Sequence, residues 1–324
     1  SCSLVGSEMC IRDRYVDYPT NMGSWLRYIT VFVPIKKILE YHPDYVILYN
    51  FPSVASLRIL KACHKHEIPV YHDLTEWEWA TGWSPREIIR KLDINLRMRY
   101  CMKKMDGVIA ISRYLYDCYS PHIKCILVPP TVDLSNPKWN RERELTTGKP
   151  IELVYAGTGG FGVKDKLDVI IENVKPFINI HLTVIGMTKE RYEEGYGPLP
   201  EDCANVEFRG RISHLNAVKA VCDADFQVLI RDNTLKTRAG FPTKFVESIS
   251  CCTPLIATLT SNIGDYFEDG CLGFVVDEKH TLRDVFAQLL EMDRGDFIAM
   301  KQRCRDFTGF DYHSYKDEFS KLFS

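Results

Sequence analysis

A chain of 324 residues is long enough for two α/β domains, and 45% hydrophobic with 26% charged residues is an ordinary globular composition. With 41 Lys and Arg against 43 Asp and Glu, the formal net charge of −2 argues against a nucleic-acid binder. No apolar run approaches a membrane span. The 12 cysteines form no CxxC pair and have no histidines clustered near them, so a reduced, cytoplasmic chain without a zinc site is expected.

The first residues stand apart. Leu4 to Arg14 back-translates, with suitable codons, to the end of a transposase sequencing adapter, so residues 1–14 are expected to be a non-native tail, excluded from fold reasoning. Apolar residues then recur at helical spacing over residues 23–39. A buried strand follows at 44–49, a helix at 54–66, a short strand at 68–71, a long helix at 85–105 and a strand at 107–111. Ser112 is a suitable cap for the next helix, and a strand begins at Cys125. Residues 131–150 are polar and read as an interdomain linker. Strands are then predicted at 151–156, 181–185, 206–208, 226–230, 255–258 and 274–276, with helices at 167–174, 189–194, 215–223, 243–250 and 282–293. Such alternation implies parallel sheets covered by helices on both faces.

Several segments carry chemistry. Gly157-Thr158-Gly159-Gly160-Phe161-Gly162 follows a strand and fits G-x-G-x-x-G. The next strand ends Val184-Ile185-Gly186-Met187 without the acidic residue of a dinucleotide site, so a dehydrogenase is not expected. The turn still lets backbone N–H groups approach phosphates. Arg231 ends a strand, and Arg grips phosphate through two hydrogen bonds. In Ala239-Gly240-Phe241-Pro242-Thr243-Lys244-Phe245-Val246-Glu247 a glycine turn runs into Pro, which suits a helix's first turn. Lys244 adds charge one turn in, and Glu247 lies on roughly the same face, able to accept from paired hydroxyls. An anion site beside a polyol acceptor suits a nucleotide sugar. His72 and Glu76, beside Trp77, Trp79 and Trp83, read as a sugar-binding loop after a strand, or as a His packed structurally under aromatic residues. Arg86, Arg90, Lys91, Arg97, Arg99, Lys103 and Lys104 crowd one helix, which either packs on the core with a solvated basic side or rests peripherally on an anionic membrane.

The stretch from Ala239 to Ile256 resembles the donor-site signature of the retaining GT-B glycosyltransferases of family 4: Glu, seven residues, Glu, then small residue, Cys, Gly, Thr, Pro, Val, Ile. Glu247 matches the second glutamate, which binds ribose in that family; Ala239 stands in place of the first, and Cys252 in place of the usual glycine. Val128-Pro129-Pro130-Thr131-Val132-Asp133, Val206-Glu207-Phe208-Arg209-Gly210 and Asp269-Gly270-Cys271-Leu272-Gly273-Phe274 resemble further family segments. The resemblance implies a GT-B fold: an acceptor-side Rossmann-like domain over residues 15–135, N-terminally truncated, and a donor domain over 136–307, with a helix about 308–324 packing back on the first. It implies a metal-independent transferase without a bound cofactor, moving a sugar from a nucleoside diphosphate to a glycan or lipid-linked acceptor in surface polysaccharide synthesis. The diphosphate is expected at Gly157, Gly159, Gly160, Arg231 and Lys244, with Lys164 or Lys166 supplying the family's lysine and Thr158 in place of its arginine. Ribose and sugar are expected at Gly240, Phe241, Pro242, Thr243 and Glu247, and the acid/base role at His72 or Glu76. A GT-B sugar-nucleotide epimerase and a non-catalytic binding subunit stay open as other readings.

Overall fold

Short apolar runs bounded by polar turns become buried parallel strands when helices cover both faces of a sheet. The structure, a computed structural model, describes residue 23 and residues 35–77, 80, 82–148, 150–158 and 164–324. The expected tail, and residues 24–34 of the expected first helix, lie outside these. The chain divides into two compact units. Of the described residues, the first holds those up to Pro129 together with Arg238–Phe241 and Tyr315–Ser324; the second holds those of Pro130–Thr237 and Pro242–Ser314.

In the first unit the order is α1 (Ile35–Glu40), β1 (Val46–Tyr49), α2 (Ser53–His64), β2 (Val70–Leu74), α3 (Pro85–Leu96), β3 (Gly107–Ala110), α4 (Arg113–Tyr119) and β4 (Cys125–Leu127). A π-helical turn, Arg97–Cys101, and a 3-10 turn, Met102–Lys104, prolong α3. Ser84 and Ser112 cap α3 and α4 by accepting from the Glu87 and Leu115 amides. The strands pair in parallel in the order β1-β2-β3-β4.

The expected strand 68–71 begins later and runs further, through Leu74. His72 therefore pairs with Val108 in mid-strand rather than ending it. Side chains alternate along a strand, so His72 shares a face with Val70 and Leu74, which belong to the core formed with Leu48, Ile59, Met98, Val108 and Leu115.

The second unit continues with β5 (Ile151–Ala156), α5 (Leu167–Val174), β6 (Ile180–Ile185), α6 (Lys189–Tyr196), β7 (Val206–Gly210), α7 (His214–Asp223) and β8 (Phe226–Leu229). After the short α8 (Leu235–Ala239) come α9 (Thr243–Ser250), β9 (Leu255–Ala257), β10 (Gly273–Val275), α10 (Leu282–Glu291) and α11 (Arg294–Asp306). All strand pairs are parallel, in the order β10-β9-β8-β5-β6-β7. The order reverses between β5 and β8, the switch point where ligands bind in open α/β sheets. The last helix, α12 (Lys316–Phe323), returns to the first unit. There Leu322 closes a cluster with Tyr71, Ile109, Ile126 and Val128 on the sheet's other face.

The predicted linker packs through Trp139 and Arg143. Trp139 is buried and donates from Nε1 to the Asp133 carbonyl at 2.8 Å, and Arg143 donates to the carbonyls of Cys222 and Cys251. α11 escapes the periodicity reading because it is mostly polar; it buries Phe297, Met300 and Cys304 together with Lys301, whose ammonium reaches Asp225 at 3.1 Å. The ten described cysteines are free of disulfides. Cys63 and Cys101 are buried in the first unit, and Cys222, Cys251, Cys252 and Cys304 in the second.

Gly273 shows how closely β10 and β9 approach. It has φ +145°, and an added Cβ would overlap the Leu255 carbonyl. Gly273→Ala is expected to destabilise the protein by more than ~1 kcal/mol, since neither φ nor space suits a side chain; a urea midpoint equal to wild type would contradict this.

Candidate functional site

The site is built where the second sheet reverses. β5 ends at Ala156 and leads to Gly157, while β8 leads through Ile230 to Arg231. The Lys166 amide bonds the Ile230 carbonyl at 2.8 Å, tying the start of α5 to the end of β8. Arg231 is fixed by its backbone to Thr258 Oγ1, which receives the Arg231 amide at 2.8 Å and donates to its carbonyl at 2.9 Å.

Asp165 stands at the centre, its side chain only 3% exposed. Arg231 Nε donates to Oδ1 at 2.6 Å, and Lys244 Nζ donates to Oδ2 at 2.8 Å. Tyr155 contributes its hydroxyl to Oδ2 at 2.6 Å. Burial by itself raises the Asp165 pKa, but the charges of Lys244 and Arg231, with hydrogen bonds from Lys244 and Tyr155, hold it well below the usual carboxylate range. Burial first, then Asp165, pushes the Tyr155 phenol well up. The trio is thus one carboxylate between two cations, with one positive charge in surplus. The neighbouring Lys166 pairs with Asp232 at 2.7 Å and adds none. Lys164 is half-buried just before Asp165.

Gly157 has a reason beyond phosphate access. A Cβ there would stand 2.6 Å from Lys244 Nζ, so the glycine makes room for the ammonium. The same ammonium lies 5.3 Å from the centre of the Tyr155 ring. Gly159 and Gly160 lie outside the described residues. Pro242 stands at the N-cap of α9 rather than in its first turn, and Thr243 begins the helix. Glu247 is buried at mid-helix. Gly240 and Phe241 cluster with the first unit, as does Ala239, whose carbonyl accepts from Ser112 Oγ at 2.7 Å. At the end of α9 the Cys252 amide bonds Ile249 and the Thr253 amide bonds Ser248, while Cys252 holds φ +55°. This is a Schellman cap in which a cysteine occupies the left-handed position usually taken by glycine.

In the first unit His72 is fully buried, and neither ring nitrogen has a hydrogen-bond partner among the described residues. Burial, then the Arg97 guanidinium, lowers its pKa to about 3, so the imidazole is neutral at ordinary pH. Glu76 is half-buried in the loop after β2. Nearby, Arg97 donates to the Asn50 carbonyl at 3.0 Å and Asn50 donates to Thr75 at 3.2 Å, joining the ends of β1 and β2. Burial raises Asp73 to about 6. Among the described residues no group of three or more His, Cys, Asp or Glu is placed to hold a metal ion.

Residues 151–292 match the family described as glycosyl transferases group 1. The whole Asp165 cluster and Glu247 fall inside this stretch. No curated protein matches the chain. Among solved structures, Anabaena Alr3699/HepE in complex with UDP is similar at 13% identity and TM-score 0.61, over 89% of this chain and 80% of that one. Sucrose-phosphate synthase from Thermosynechococcus elongatus is similar at 15% identity and TM-score 0.63, over 89% and 76%. WaaG, a glycosyltransferase involved in lipopolysaccharide biosynthesis, is similar at 15% identity and TM-score 0.57, over 89% and 80%. At these identities the likeness is one of fold: the chain is an α/β protein of GT-B type with two parallel-sheet domains.

Two members of the cluster, Asp165 and Tyr155, belong to no motif of the sequence. Asp165 sits between two lysines and reads as a solvated charge, and Tyr155 reads as one more apolar strand residue. Removing the partner of a buried ion pair typically costs about 3–5 kcal/mol, and Asp165→Ala is expected to lose that much stability in urea denaturation at neutral pH. The depressed pKa fixes the sign of the pH dependence. Wild type's advantage over Asp165→Asn should be complete above the ordinary carboxylate value of about 3.9 and shrink as pH falls below it. An advantage that does not change with pH on either side of that value would show that folding leaves the Asp165 pKa unshifted, and one that shrinks as pH rises above it would show that Asp165 is neutral in the fold.

Proposed function

We propose that this protein is a retaining, metal-independent glycosyltransferase of family 4 type, moving a sugar from a nucleoside diphosphate to a glycan or lipid-linked acceptor in surface polysaccharide synthesis. The observation that carries this reading is the Arg231–Asp165–Lys244 cluster at the switch point of the second sheet, inside the group 1 match, with its surplus positive charge. Solved GT-B structures holding UDP and UDP-glucose support a nucleotide-sugar donor, and WaaG's involvement in lipopolysaccharide biosynthesis supports a surface-glycan role.

As the anomeric carbon–phosphate oxygen bond breaks, negative charge grows on the departing diphosphate, and the acceptor hydroxyl oxygen bonds that carbon as its proton passes to Glu76. Arg231 and Lys244 are oriented before that charge appears, because Asp165 holds them; such preorganised donors are a large source of rate enhancement. Arg231 uses Nε on Asp165, leaving its guanidinium fork to grip a phosphate. Lys164 and Lys166 lie beside the same loop, and Glu247 serves the ribose hydroxyls. A neutral, buried His72 suits a hydrogen-bonding or orienting role better than proton donation, and Glu76, beyond the strand end, is the better acid/base group.

Losing one such donor typically costs about 2.7–4 kcal/mol of transition-state stabilisation. Arg231→Ala and Lys244→Ala are each expected to slow release of nucleoside diphosphate from the productive donor at least about a hundredfold. The wild-type donor is found first by a thermal-shift screen of UDP, GDP and ADP sugars, since only a true ligand raises the transition. Near-native turnover in both variants would reject the assignment. A free epimerised donor would favour the epimerase, and stabilisation without any nucleotide release would favour the non-catalytic binder.

A further inference from the structure

Asp165-Lys166 and Arg231-Asp232 are two dipeptides of opposite charge order, and the fold lays one beside the other. The Lys166 amide, bonded to the Ile230 carbonyl at 2.8 Å, brings the start of α5 against the end of β8. Asp165 then meets Arg231 at 2.6 Å and Lys166 meets Asp232 at 2.7 Å. The result is two successive ion pairs with their charges reversed.

The pairs differ in depth. In the inner one the Arg231 and Asp165 side chains are 11% and 3% exposed; in the outer one Lys166 is 29% and Asp232 61% exposed. Parting a buried pair leaves an uncompensated charge, so the inner one holds. An exposed pair is worth little, because water and salt screen it, and its members change partners readily. The backbones beneath are fixed. Besides the Lys166 amide bond, the Asp232 carbonyl accepts from the Thr234 amide at 3.0 Å and the Thr237 hydroxyl at 2.6 Å, in the turn that leads into α8. Only the outer side chains are left to move.

Charge arithmetic gives that movement a use. A nucleoside diphosphate sugar carries one negative charge on each of its phosphates. Arg231, Lys244 and Asp165 together offer one positive charge, which answers one phosphate. Lys166 is a further cation, next in the chain to Asp165, but Asp232 cancels it.

We propose that Asp232 sets the charge a donor must carry, holding Lys166 until a second phosphate takes the ammonium from it. The exchange breaks the Lys166–Asp232 ion pair, forms a Lys166–phosphate pair and returns the Asp232 carboxylate to water, with no covalent change. Two phosphate charges close together outcompete one screened carboxylate. A monophosphate is answered by the inner cluster and leaves the outer pair closed. Asp232 is therefore a selectivity residue, and Lys166 is the cation it withholds. The inference rests on the nucleotide-sugar reading above and concerns which anion that site admits.

Isothermal titration calorimetry of the full chain with UDP, GDP and ADP, each beside its monophosphate, tests this. Asp232→Asn is expected to tighten diphosphate binding about two- to fivefold, the worth of an exposed ion pair, and to leave monophosphate binding unchanged. Lys166→Gln should weaken diphosphate binding about tenfold, again sparing the monophosphate. Neither side chain is buried, so thermal midpoints should stay at the wild-type value. Tightening of monophosphate and diphosphate alike in Asp232→Asn would be a general relief of repulsion and overturns the proposal. So does a loss in Lys164→Gln without one in Lys166→Gln, which assigns the second phosphate to Lys164. Wild-type binding of a diphosphate that Asp232→Asn leaves unchanged or weakens sinks this inference alone. If wild type binds none of the three diphosphates, the donor reading fails and this inference with it.

Discussion

Two cations of like sign do not settle side by side in a protein interior without a counter-charge. In the second unit the counter-charge is Asp165, and the local architecture is arranged around it. The strand order brings the ends of β5 and β8 together, Thr258 clamps the Arg231 backbone, and the first turn of α9 delivers Lys244. Gly157, lacking a side chain, leaves the space that the lysine tip occupies. Tyr155 completes the carboxylate's hydrogen bonds from the strand below. The members hold one another through these contacts, and the trio keeps one unit of positive charge in surplus.

Much of this could be read in the residues. The apolar pattern in the second unit defines several elements almost to the residue, because β5, α5 and α9 are bounded by glycine, proline and charged turns that end them sharply. Ser112 announces α4 by its hydroxyl. Arg231 and Lys244 were legible as charges near a glycine turn, but the carboxylate joining them was not. Its contacts span 66 and 79 residues of sequence, and spacing holds no information at that range.

The first unit was harder. Val70-Tyr71-His72-Asp73-Leu74 alternates in the manner of a strand, but His and Asp disguise it, and reading the strand as ended at Tyr71 moved His72 from core to loop. The apolar positions of the segment beginning at Pro85 were legible as helical. Periodicity could not divide them between an inward and an outward stripe, because both repeat at three and four residues; burial alone separates Ile94 and Met98 from Ile88 and Leu92. Similarly, Cys252 looked like a departure from a glycine motif. The backbone keeps the glycine conformation there, and a cysteine adopts it.

The cysteines have a practical consequence. Burial raises the thiols of Cys63 and Cys101 in the first unit, the latter to about 11, and likewise raises Cys251 and Cys304 in the second. Such thiols react with an alkylating reagent only when the structure around them opens, because the thiolate is both scarce and enclosed. The chain therefore carries native clocks in each unit. Mass-resolved alkylation over time would record the opening rates of the two halves separately, without any introduced label.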